Sequence, residues 1–134
     1  MTQIKKFITG FVIFLAAASV AAQEASIDLS DPMTLLAACT IEDDGSLGFG
    51  YAKSNLERAI SKGNYERVRS SCVSYIYGVS SGVAHNGDAP FCLPVLPLED
   101  LRFAVVLGLK QEYKTSNSSV PIIINALSKN WPCQ

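Results

Sequence analysis

Few residues in this chain have the types and spacing that chemistry needs. His85 is the one histidine. It opens the run His85-Asn86-Gly87-Asp88-Ala89-Pro90, whose composition is that of an exposed turn. General acid–base or nucleophilic work needs a base poised beside a reacting group, and no serine or cysteine motif supplies one. Cysteines stand at Cys39, Cys72, Cys92 and Cys133. Their spacing does not match a zinc site. Glu42, Asp43 and Asp44 gather carboxylates but lack the twelve-residue calcium pattern, so a solvated acidic turn is the simpler reading. Gly45, Gly48 and Gly50 lack the lysine of a phosphate loop. Glu99 and Asp100 sit where a helix start favours negative charge. The inventory favours a binding protein over an enzyme, with no metal site and no cofactor. An enzyme with a dispersed active site is the weakest alternative.

The elements that position these residues begin with an export leader. Lys5 and Lys6 precede an apolar run from Phe7 to Val20, and Ala21 and Ala22 follow; no acidic residue comes before Glu24. This is the pattern of a secretory signal peptide over residues 1–22, with Val20 and Ala22 as the small residues read at cleavage. The run of about 14 residues is shorter than the roughly 20 needed to span a bilayer. Residues 23–134 form a single domain. Without Lys5 and Lys6, 9 of the 11 basic residues remain against 12 acidic ones, a net charge near −3. No basic block concentrates positive charge, which argues against a nucleic-acid partner. No second apolar stretch reaches membrane length, so no membrane association is expected after cleavage. The expected location is the periplasm.

Periodicity reads as all-α: a small compact domain of about four to five helices. Asp31-Pro32 opens the first, over 32–40, with Leu35, Leu36 and Cys39 at 3–4 spacing. A short second helix is expected over 54–62. Gly63 ends it and Asn64 caps the next. The central helix runs over 65–84, carrying Val68, Cys72, Tyr75, Ile76, Val79 and Val83 in steps of three and four. Gly78 and Gly82 each cost roughly 1 kcal/mol inside a helix. They are expected to admit another helix closely, within the chain or across a dimer, so that Gly78→Leu or Gly82→Leu disrupts packing. A further helix over 98–114 offers Leu98, Leu101, Val105, Leu109 and Tyr113. The last runs over 120–129 and is capped by Ser119.

An even number of cysteines in an exported chain reads as two disulfides. The central helix from Cys72 to its end covers roughly 18 Å, and a bridge needs Cα atoms within about 7 Å. Cys39–Cys72 with Cys92–Cys133 is therefore preferred. Cys39–Cys133 with Cys72–Cys92 stays open as the runner-up. Each bridge would contribute roughly 3–4 kcal/mol on chain-entropy grounds.

The run Cys72-Val73-Ser74-Tyr75-Ile76-Tyr77-Gly78-Val79-Ser80-Ser81-Gly82 resembles the central helix of the type VI secretion amidase immunity family, called Tai or Rap. Phe91-Cys92-Leu93-Pro94 looks like that family's loop into the next helix. Ala126-Leu127 and Trp131-Pro132-Cys133 look like its ending. The resemblance covers residues 35–133. It implies an α-helical homodimer that binds a cognate peptidoglycan amidase effector in the periplasm and blocks its Cys–His cleft with a protruding loop or helix. The family's plugging residues do not transfer through a sharp motif. The loop His85, Asn86, Gly87, Asp88 and Ala89 is the first candidate, since surface loops commonly carry binding. Glu42 to Asp44 is the second and Lys114 to Ser119 the third. A competing reading is a small disulfide-stapled periplasmic chaperone, which would bind many clients and change assembly with pH.

Overall fold

The computed structural model describes residues 27–42 and 64–134. Four helices make up these residues: α1 (Pro32–Cys39), α2 (Tyr65–His85), α3 (Leu98–Glu112) and α4 (Ser119–Asn130). No strand occurs among the described residues, and an isolated bridge pairs Phe91 with Pro132. The fold is a small all-α domain with two disulfides. The expected export leader, the expected helix over 54–62, Asp43, Asp44 and the glycines between 45 and 50 lie outside the described residues.

Helix α1 starts where the sequence says it should. The Asp31 carboxylate accepts from the Thr34 backbone N–H and from its hydroxyl, both at 2.7 Å, and Pro32 fills the first turn. Its burial differs from the expected single stripe. Leu35, Leu36, Ala37, Ala38 and Cys39 are all buried in succession. A helix that is apolar all round belongs inside its neighbours, and α1 packs against α2, α3 and α4. Two guanidinium groups meet the chain where α1 ends. Arg102 donates to the Cys39 carbonyl at 2.6 Å, and Arg69 donates to the Ile41 carbonyl at 2.9 Å. Positive charge there complements the negative end of the helix dipole and satisfies a carbonyl that has no helical partner.

Helix α2 buries Val68, Cys72 and Ile76, with Ser80 continuing the same stripe. The Ser80 hydroxyl bonds back to the Tyr77 carbonyl at 2.9 Å, so its burial leaves no polar atom unpaired. Asn64 precedes the helix, and its side chain makes no capping hydrogen bond. Helix α3 buries Leu101, Ala104, Val105, Val106 and Leu109. Leu98, expected on that face, is 47% exposed. It is the first residue of the helix. Tyr113 follows the helix and packs half-buried against the core.

Helix α4 begins one residue earlier than its periodicity suggests. Ser118 is the cap, accepting from the Val120 N–H at 3.3 Å, and Ser119 is the first helical residue. Ser119 is fully buried instead of capping. Its N–H donates to the Ser30 carbonyl and its hydroxyl to the Leu29 carbonyl, both at 2.8 Å. It therefore ties the residues before α1 to the start of α4.

Helices α3 and α4 approach closely at Gly108. A Cβ built there would sit 3.1 Å from Ala126 Cβ and 3.5 Å from Ile122 Cγ2. Gly108→Leu is expected to lower stability by about 1–3 kcal/mol through overpacking, read as a drop in denaturant midpoint at unchanged slope. A midpoint at or above the parent value would contradict the close approach.

Candidate functional site

The first candidate loop forms at the end of α2. His85 is the last helical residue, and Asn86 caps the helix through its backbone. The Gly87 N–H returns to the Ala84 carbonyl at 3.2 Å. Gly87 has φ +76°, a left-handed conformation that other residues adopt at a cost. His85, Asn86, Gly87 and Asp88 are exposed, and Ala89 is half-buried against the core. The polar tip thus stands in solvent at the end of a rigid 21-residue helix.

The far side of this loop is pinned to the end of the chain. Phe91 is 3% exposed, and the Cys92 N–H donates to the Trp131 carbonyl at 2.8 Å. The Cys92–Cys133 disulfide joins the same two segments, with Cα atoms 4.8 Å apart. Between loop and bridge lies an open, mainly apolar hollow of about 460 Å³, lined by Ala84, Gly87, Ala89, Phe91, Leu93 and the two cysteines. This end of the molecule therefore presents a polar tip beside a shallow apolar depression. Such a surface suits contact with another protein.

The other candidates are arranged differently. Glu42 is exposed at the edge of the described residues. In the connection between α3 and α4, Ser116 donates to the Ser118 carbonyl at 2.8 Å and Thr115 to the Glu112 carbonyl at 3.1 Å. With Ser118 capping α4 and Ser119 buried, that connection is occupied by its own turn. Lys114 remains exposed, 5.6 Å from the Tyr113 ring centre.

Cys39–Cys72 and Cys92–Cys133 both form, as preferred from the sequence, and no cysteine is free to act as a nucleophile. Glu99 is bonded to Arg102 at 2.6 Å instead of being paired with Asp100 for acid–base work. No group of three potential metal ligands occurs among the described residues. No described helix is long and apolar enough to cross a membrane.

Gly78 and Gly82 have no close partner among the described residues. Both are exposed, and a Cβ at either would meet nothing within 4 Å. The periodicity of the small residues was legible, but the core of α2 lies on the Val68-Cys72-Ile76 stripe, and these glycines fall outside it. Gly78→Leu and Gly82→Leu therefore meet no neighbour among the described residues. Gly78→Ala with Gly82→Ala is expected to stabilise a single chain by about 0.5–1 kcal/mol per site, measured as a rise in melting temperature. A fall would mean that a second copy, or a part of the chain outside the described residues, packs against this face. Tyr77 is exposed beside them, and Phe103 and Leu107 are exposed one turn apart on α3. These aromatic and aliphatic positions were not singled out by the sequence, although Phe103 and Leu107 stand outside the 101-105-109 core spacing.

No curated protein and no solved structure gives a significant match to this chain. A family model described as Rap1a immunity proteins matches residues 33–133. That span runs from the second residue of α1 through α4 and includes both disulfides and the loop after α2, and the chain belongs to the Rap1a immunity protein family.

Proposed function

We propose that this chain is a periplasmic immunity protein that binds a peptidoglycan amidase delivered by a type VI secretion system and blocks its active cleft. Membership of the Rap1a immunity family over residues 33–133 carries the reading. The shape of the loop end supports it. An exposed tip on a rigid helix can enter a cleft without first being ordered, which lowers the cost of binding. The two disulfides suit an oxidising compartment, in keeping with the leader expected over residues 1–22. The protein acts by occupying its partner and performs no reaction of its own.

In this reading the loop residues His85, Asn86, Gly87, Asp88 and Ala89 meet the effector. Gly78 and Gly82, bare of neighbours among the described residues, lie on the face across which two copies pair. The test is a titration of the purified mature protein into peptidoglycan hydrolysis by the amidase encoded beside it. Complete inhibition at a fixed stoichiometry supports the reading. Unimpaired hydrolysis at excess protein rejects it. Light scattering of Gly78→Leu beside the parent tests the pairing face: a dimeric parent and a monomeric variant support it, and equal masses remove it.

A further inference from the structure

The two disulfides occupy opposite environments. Cys39 and Cys72 are both 0% exposed, inside the packing of α1 against α2. Cys92 and Cys133 are both exposed, at the rim of the hollow beside the α2 loop. Thiol–disulfide exchange requires a thiolate to reach one sulfur along the bond, so access decides which bridge reacts. The segment of the outer bridge is also anchored by burial of Phe91 in the core, with Ala89, Leu93 and Leu96 packed against it. Between α2 and α3 the chain is fastened to the C-terminus by the Phe91–Pro132 bridge and by the Cys92 N–H bond to Trp131.

We propose that Cys92–Cys133 is a redox latch on the 86–97 segment. An external dithiol opens it in the folded protein, while Cys39–Cys72 stays closed in the core. In the first step a thiolate of the dithiol attacks one exposed sulfur. A mixed disulfide forms, and the other protein sulfur leaves as a thiolate and takes up a proton. The second thiol of the reductant then closes on the mixed disulfide and releases the remaining protein thiol. The protein gains two electrons and two protons; the dithiol becomes a cyclic or paired disulfide. Opening detaches the C-terminus from Cys92, slackens the loop and flattens the hollow. The latch places the shape of the loop under the control of thiol reductants without unfolding the helices.

Trp131 is the chain's one tryptophan, and its carbonyl accepts the hydrogen bond beside the bridge. It therefore reports the latch directly. The experiment treats the folded, oxidised protein with dithiothreitol for increasing times, traps free thiols with iodoacetamide and maps the labelled peptides. Tryptophan emission and far-ultraviolet circular dichroism are followed in parallel. A buried bridge is reached only through opening of the core, a state populated at about one part in a thousand or less. Cys92 and Cys133 are therefore expected to label about a thousandfold sooner than Cys39 and Cys72 at the outset. Trp131 emission is expected to shift to the red in that early phase with the helical signal retained. Cys92→Ser with Cys133→Ser should show the red-shifted emission before any reductant is added. Simultaneous labelling of all four cysteines would overturn the latch. So would early labelling, or the double serine variant, with the emission of the oxidised parent. None of these readouts involves an effector, so the latch stands or falls separately from the proposed inhibition.

Discussion

Cys39→Ala with Cys72→Ala is expected to lose most of the domain's stability. The bridge joins positions 33 residues apart. Cross-linking a loop of that length removes about 4 kcal/mol of chain entropy from the unfolded state. Both sulfurs are fully buried, so their removal also leaves space in the packing between α1 and α2, which adds to the loss. Domains of this size have about 5–15 kcal/mol in total. The melting temperature should fall by about 15 °C or more, measured by circular dichroism on the oxidised parent and the variant. The outer bridge closes a loop of similar length, with 41 residues of separation. Its removal is expected to cost less, because the released C-terminus frays and returns entropy to the folded state. Equal losses from the two pairs would contradict that distinction.

Asn86→Ala with Asp88→Ala is expected to weaken effector binding by about 2 kcal/mol or more, roughly 30-fold in Kd, if the tip occupies the cleft. Both side chains are exposed, so melting temperature should hardly move. The conformation of Gly87 makes it a separate arm of the experiment. At φ +76° an alanine is strained by about 1 kcal/mol, which alters the loop itself. Replacing all three residues together mixes these effects. The double variant reads contact, and Gly87→Ala reads shape. Isothermal titration against the cognate amidase measures both. Unchanged affinity in the double variant would remove the tip from the inhibitory surface and direct attention to Tyr77 or to Phe103 and Leu107.

The helices were legible because each carries a 3–4 apolar spacing between recognisable ends. Asp31-Pro32 marked the first start, and the Val68-Cys72-Ile76 spacing marked the core stripe of α2. The preferred disulfide pairing followed from helix length against bridge span. What escaped the sequence depended on neighbours far along the chain. Ser118 and Ser119 are chemically equal as caps, and the carbonyls of Leu29 and Ser30 decide that Ser119 turns inward. Gly78, Gly82 and Gly108 are alike as residues, and only the position of Ala126 makes Gly108 the contact. The arginines that reach the end of α1 come from α2 and α3, so no local pattern announces them. The α2 loop was visible as a turn composition. The hollow beside it was not, because Cys133 lines it from the other end of the chain.

We propose that the chain protects a cell by binding one amidase. The most direct test is co-expression of the exported protein with a periplasm-targeted amidase from the same locus, scoring lysis and co-purification together. Survival and a stable complex are expected in the same cells. Lysis without a complex, from a folded and exported protein, would contradict the proposal and leave the fold without its proposed partner.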